Sequence, residues 1–373
     1  MRAGRLREAE RLIDGLIERY PNYRLAHLIK GDLLAARTRP LTELGSVPAS
    51  LLSAQVVVPT AFPTRRPTTQ SGAEAVQELR AEARARLASV QEGVPRHRVP
   101  AEALRIAGDV NHVFAVDASR SRLYVLEHRG GQLTVIADFY ASVGKAGLGK
   151  TREGDKRTPT GTYFLVGEVP RERLNDFYGD GAYEIDFPSP WDHRLGRTGS
   201  GIWLHGTPAS TFARAPRASD GCIVVSNADL EKLRRWITPG RTPIIVGESL
   251  QWVEPEAASR AAQGVLAAFE RWRVDFLSRD AERIARHYEG HERVSQAAQA
   301  PRVVPVSRKV PAIHLPAGPI ALTNVTALGF AGEPDVVLVS FDRSIGHHRD
   351  RVRQYWQRRG GVWHIVHESA SLP

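Results

Sequence analysis

The spacing of apolar positions changes character along the 373 residues. In the opening stretch "AGRLREAERLIDGLIERYPNYRLAHLIKGDLL", Leu6, Leu12, Leu16 and Ile17 fall roughly on one helical face with charge opposite, and Pro21-Asn22 interrupts the run before a second amphipathic segment. This predicts a helical hairpin, and the pair resembles the tetratricopeptide type (TPR-like), in a single copy that is too little to establish an array. Residues 59–72, "PTAFPTRRPTTQSG", read as a linker rich in Pro, Thr and Ser, and "AEAVQELRAEARARLASV" predicts one more helix. From about Asn111 the period drops to two: "HVFAVDASRSRLYVLEHRGGQLTVIADFYASVG" predicts an antiparallel meander with turns at "DASRS" and "RGG". Further strands are expected at "GTYFLVGEV", "GIWLHG", "CIVVS" and "TPIIVG", with a helix at "SNADLEKLRRWI" capped by Ser226 or Asn227. Many short strands with Gly-rich turns predict a β-sandwich-like domain. After Pro255 the pattern is helical through "FERWRVDFLSRDAERIARHYE" and then strand-like at "AIHLPAG", "PDVVLVSFDRS" and "GVWHIVHES". The expected fold class is multidomain α+β: a helical segment and linker over 1–95, a β-rich domain over 105–250 and a separate α+β domain over 258–373.

Composition, 42% hydrophobic and 25% charged, is that of a globular protein with room for more than one core. The net charge of +10 favours an anionic partner, yet only six of the 51 basic residues are lysine, a bias that GC-rich coding also produces. No aromatic-interleaved basic motif points to nucleic acid. No apolar run approaches the length of a membrane-spanning helix, so no stable membrane insertion is expected. The start shows no hydrophobic region followed by a cleavage site, and the helix that opens at residue 3 without a cap suggests a truncated N-terminus.

Cys222 is the single cysteine, so neither an intramolecular disulfide nor a zinc-type cysteine cluster is available, and no cofactor is implied. It sits in a Ser-Asp-Gly-Cys turn, seventeen positions after His205. A lone cysteine is most often an inert core residue. As a nucleophile it would need a base, and an imidazole is the right type of group. Gly206 leaves room for that imidazole and offers a carbonyl to fix its tautomer. Gly221 allows the tight turn, and the N–H groups of Gly221 and Cys222 would face the oxygen of a tetrahedral intermediate. His347, His348, His364 and His367 suggest a metal cluster at first glance, but "VWHIVHE" reads as a strand, on which positions three apart face opposite sides. "GDKRTPTG" lacks phosphate-loop spacing and reads as a turn into a strand.

Three blocks in order, "SVGKAGLGKTREGDKRTPTGTYFL", "GSGIWLHGTP" and "RASDGCIVVSN", resemble the YkuD-type L,D-transpeptidase catalytic domain over about residues 110–247. The resemblance implies a β-rich fold, Cys222 as nucleophile, His205 as base, and acyl transfer on peptidoglycan stem peptides. The enzyme would attack the carbonyl between the L-centre of the third-position diamino acid and the terminal D-alanine, and the thioester would pass to an amine or to water. It also implies a periplasmic location. Gly206, Ser219, Asp220, Trp203 and Arg197 are the residues expected around the substrate, with Trp203, Tyr178 and Trp191 as groove wall or aromatic core. Two departures stand out. Asp220 replaces the histidine often found before Gly-Cys, as a turn residue or paired with Arg214 or Arg217. Valines at 224 and 225 replace the arginine often seen after the cysteine, which leaves Arg197, Arg214 and Arg217 to receive a substrate carboxylate. The segment from about 260 resembles an NTF2-like accessory domain that would hold a glycan, a partner or a homodimer contact. Three-part relatives of this kind include L,D-carboxypeptidases; a non-catalytic peptidoglycan-binding scaffold is the alternative from another class.

Overall fold

The computed structural model describes residues 2–38, 40, 43–47, 49–58, 68–289 and 318–371. Helices α1 (Arg2–Arg19) and α2 (Arg24–Ala35) pair around Ile13, Tyr23, Leu25 and Ala26. The linker expectation needs correction at its end. Residues 59–67 lie outside the described residues, but Thr68–Ser71 is extended and pairs antiparallel with Gln55–Val58 before helix α3 (Gly72–Glu92) begins. Local chemistry starts that helix: Ser71 Oγ accepts from Glu74 N–H at 3.3 Å, and the Glu74 carboxylate accepts from Ser71 N–H at 2.9 Å.

The central domain contains β1 (His112–Asp117), β2 (Arg122–Arg129), β3 (Gln132–Tyr140), β4 (Gly161–Glu168), β5 (Ala182–Ile185), helix α4 (Pro190–Arg194), β6 (Trp203–His205), β7 (Ile223–Val224), helix α5 (Asn227–Arg234) and β8 (Pro243–Gly247). β1 to β3 form the expected antiparallel meander. As a sandwich-like domain requires, two halves share β4: its residues 161–164 pair with β8 and 165–168 with β5 across a register shift between Leu165 and Gly167, and one core joins Phe114 and Val116 of the first half to Leu204 and Ile223 of the second. All eight strands join in one order, β7-β6-β5-β4-β8-β1-β2-β3, with β6/β7 and β8/β1 parallel. In β1 every residue but the first is buried, so both faces there are apolar and both need cover. One face, with Phe114 and Val116, packs on Leu230 and Leu233 of α5. The other, with Val113 and Ala115, meets Phe330, Leu338 and Tyr355 of the C-terminal domain.

That domain supplies helices α6 (Pro255–Ser278) and α7 (Ala281–Ala285) and an antiparallel sheet of β9 (Ile320–Phe330), β10 (Glu333–Ile345), β11 (His348–Arg359) and β12 (Val362–Ser371). Trp272 is fully buried among Phe269, Phe276, Phe341 and Trp356. Most of the strand expected at "AIHLPAG" lies outside the described residues. Polar ties join this domain to the central one: Thr162 Oγ1 donates to Gly329 O at 2.6 Å, and Arg353 bonds Asp186 at 2.7 Å with its guanidinium 3.8 Å from the Phe164 ring.

The N-terminal helices grip the loop 207–217 that leads from β6 towards the cysteine. Phe212 lies 4.6 Å from the Tyr20 ring and 4.4 Å from Tyr23, its N–H donates to Asn22 O at 3.3 Å, and Asn22 Nδ2 donates to Ala209 O at 3.0 Å. Arg86 of α3 sits 4.1 Å over the Tyr140 ring and pairs with buried Glu82 at 2.8 Å. Phe212→Ala should therefore lower stability by about 2 kcal/mol, less than a fully buried ring would, read as a lower urea midpoint with faster proteolysis within 207–217.

Candidate active site

The site is built on the shortest strand pair of the sheet. β6 and β7 run parallel with Leu204 opposite Ile223 and His205 opposite Val224. Leu204 and Ile223 point into the central core. Strand alternation therefore puts Trp203 and His205 on the opposite face, and Cys222, one residue before Ile223, clusters there with Trp203 and Tyr178. Seventeen residues of chain separation collapse to neighbouring strands, ~4.8 Å apart.

His205 Nδ1 lies 2.7 Å from Gly206 O. A carbonyl only accepts, so the hydrogen sits on Nδ1 and Nε2 keeps a free lone pair. Nε2 is buried and has no hydrogen-bond partner among the described residues. Burial, helped by the Arg214 charge and opposed by the Gly206 bond, brings the imidazole pKa down to about 3. The room expected beside Gly206 for the imidazole is used by another group: a Cβ there would lie 2.0 Å from Asn227 Oδ1. That amide accepts from Thr207 N–H (2.9 Å) and Asp180 N–H (3.2 Å) and donates to Thr207 O (2.9 Å), locking the chain just after the histidine. Ser226, not Asn227, caps α5.

The cysteine turn is braced from below. Gly221 has φ +131° and leaves no space for a side chain, since a Cβ would approach Arg157 O to 2.9 Å. Thr158 Oγ1 donates to Gly221 O at 2.8 Å and accepts from Gly144 N–H at 2.9 Å. Buried Ser219 donates through Oγ to Cys222 O (2.6 Å) and accepts from Gly221 N–H (3.1 Å). The Gly221 N–H, expected at an oxyanion, is thus engaged by Ser219, and Ser219, expected around the substrate, bonds within the turn. Cys222 itself is half-buried, its Sγ 3.5 Å from Gly201 O. Burial, opposed by the Trp203 N–H and the Arg214 charge, pushes the thiol up to about 11.

Other expected residues fall in different places. Asp220 is exposed and pairs with Lys145 at 3.4 Å, with neither of the two arginines named for it. Arg217 pairs with Glu248. Arg197 bridges Asp192 and Glu333, both at 3.0 Å, which makes it a strut between domains. Trp191 is likewise buried core, donating to Glu333 at 2.7 Å. Trp203 is mostly buried against Tyr178, with Nε1 unpartnered among the described residues. In the "GDKRTPTG" turn, Asp155 holds Lys150 at 2.8 Å and accepts from the N–H groups of Thr151, Arg152 and Arg157. Burial would raise its pKa, but these bonds outweigh it and hold the carboxyl at about 2. The contacts of Thr158, Lys145, Phe177 and the Asn227 amide could not be read from the sequence, since each acts through a partner far along the chain.

Residues 111–246 match the family model of the L,D-transpeptidase catalytic domain, YkuD. The central domain is a YkuD domain. The structure of Bd1075 from Bdellovibrio bacteriovorus is similar at a TM-score of 0.56 and 23% identity, covering 74% of this chain and 98% of that one. The helical cell shape determining protein Pgp2 from Campylobacter jejuni is similar at 0.54 and 18%, covering 72% and 95%. No match was found among curated proteins. The match lies within the central domain, for which it supports a peptidoglycan-active L,D-transpeptidase family. Among the described residues no helix is long and apolar enough to cross a membrane, and no three His, Cys, Asp or Glu side chains group to hold a metal.

With the thiol near 11 and the imidazole near 3, the resting YkuD domain holds a neutral pair and no thiolate–imidazolium ion pair. Without substrate, alkylation of Cys222 by iodoacetamide should climb about tenfold per pH unit towards pH 11; a plateau below about pH 8 would contradict the neutral pair. Arg197→Ala should cost on the order of 1–3 kcal/mol of stability by denaturant titration and leave the alkylation rate unchanged.

Proposed function

We propose that the protein transfers the acyl group of a peptidoglycan stem tetrapeptide through a thioester on Cys222, releasing D-alanine. One observation carries this reading: a half-buried thiol and a buried imidazole with an unpartnered Nε2 share one face of adjacent strands. Sγ attacks the carbonyl carbon on the L-centre of the third-position diamino acid while His205 Nε2 takes the thiol proton. The oxyanion faces the Cys222 N–H. Collapse breaks the C–N bond, and the proton on Nε2 passes to the departing nitrogen, so D-alanine leaves as a free amine with its carboxylate still ionised, and the imidazole is restored. An acceptor amine, deprotonated by the same Nε2, then takes the acyl group and frees the thiol. The neutral resting pair suits this sequence, because the proton moves only as negative charge develops on oxygen.

The family's substrate supports a periplasmic site of action, and the cell-shape role in the name of the Campylobacter protein supports a part for this chain in setting the form of the wall. Incubation with disaccharide tetrapeptide, followed by mass spectrometry, should show D-alanine release by wild type and a loss of about 10³-fold or more in Cys222→Ala. Cross-linked dimers mark an amine acceptor and a transpeptidase. Free tripeptide marks water and an L,D-carboxypeptidase. Binding to sacculi with no release by wild type would make the protein a scaffold and sink the thioester.

A further inference from the structure

Of the three arginines available for a substrate carboxylate, Arg197 and Arg217 are already paired with carboxylates. Arg214 is not: among the described residues no carboxylate lies within ion-pair distance of it. Its guanidinium rests 4.1 Å from the Phe177 ring centre and makes one long bond, from Nη2 to Phe177 O at 3.4 Å. Of the other cations near the cysteine turn, Lys145 and Lys150 hold Asp220 and Asp155, and Arg157, whose carbonyl abuts Gly221, donates to Leu148 O at 2.8 Å.

The position of Arg214 is held by its surroundings. Its carbonyl accepts from Tyr140 Oη at 2.8 Å, the next carbonyl, of Ala215, accepts from Ser142 Oγ at 2.5 Å, and Phe212 is seated between Tyr20 and Tyr23. Phe177, on which the guanidinium rests, lies 5.9 Å from the His205 ring, and Tyr178 lies 5.1 Å from His205 and 4.8 Å from Trp203. The charge is close enough to act on both reacting groups, favouring the Cys222 thiolate and disfavouring the His205 imidazolium. Burial pulls the guanidinium itself down to about 10. A half-desolvated guanidinium with most of its five donors unengaged is costly unless an anion arrives. Its planar fork matches a carboxylate.

The leaving residue brings such an anion to this place. Bond geometry puts its α-carboxylate carbon about 3–4 Å from the attacked carbonyl carbon, beside the sulfur. We infer that Arg214 binds the free α-carboxylate of the residue on the leaving side of the scissile bond, so that in this chain the loop before the cysteine supplies the cation. This rests on the thioester reading of the site. It also accounts for Val224 and Val225, which are buried apolar residues where the family often has an arginine: here the cation enters from the loop before the cysteine.

The test compares two donors, disaccharide tetrapeptide with a free C-terminal carboxylate and the same compound as C-terminal carboxamide, by release of D-alanine or D-alaninamide. Wild type should prefer the carboxylate by about 10- to 100-fold in kcat/KM, and Arg214→Gln should bring the ratio close to one. Arg214→Lys should give an intermediate ratio and serves if the glutamine variant does not fold. A wild-type ratio near one, or a variant that keeps the wild-type ratio while losing rate on both donors, overturns the assignment and leaves the thioester standing. Release from neither donor by wild type sinks the thioester reading, and this one with it.

Discussion

The parallel pairing of β6 with β7 spans only two residues on β7, yet the relation between sulfur and imidazole depends on it. Such a short ladder holds its register only if both ends are fastened elsewhere. The Asn227 amide fastens the chain after His205 through three backbone bonds. Thr158 and Ser219 fasten the turn before Ile223 through Gly221 and Cys222. Gly206 and Gly221 are required by these braces, since a side chain at either would strike Asn227 Oδ1 or Arg157 O.

Burial sets the chemistry of the pair. It raises the thiol and lowers the imidazole, so both favour their uncharged forms in the empty site. The Gly206 carbonyl decides which nitrogen carries hydrogen and leaves Nε2 as the base. Arg214 is the one charge of opposite effect on the two groups: it eases ionisation of sulfur and opposes protonation of nitrogen. A bound carboxylate would cancel that charge and make the imidazolium easier to form as the amine departs.

The flanking parts shape the site from outside. The N-terminal helices clasp Phe212 and so hold the loop that carries Arg214. The C-terminal sheet covers the far face of the central sheet, through Phe330, Leu338 and Tyr355 and through the Arg197 and Arg353 ion pairs. Charged residues that look like substrate contacts by type alone are in this way committed to joining domains.

Local order was legible in the chain itself. Period-two alternation gives the meander of β1 to β3, the Ser226 cap marks the start of α5, and Gly-Cys seventeen residues after His-Gly marks the pair that strand register brings together. These are visible because backbone periodicity, capping and tight turns depend on neighbours a few residues away. What tertiary structure alone decided is the partner of each polar group. Lys145 rather than an arginine meets Asp220, Thr158 donates to the Gly221 carbonyl, Glu333 takes Arg197, and among the described residues Arg214 is left without a carboxylate. Hydrogen bonds and ion pairs form between residues tens to more than a hundred positions apart, and the competition among so many arginines for so many carboxylates is resolved only by where packing puts them.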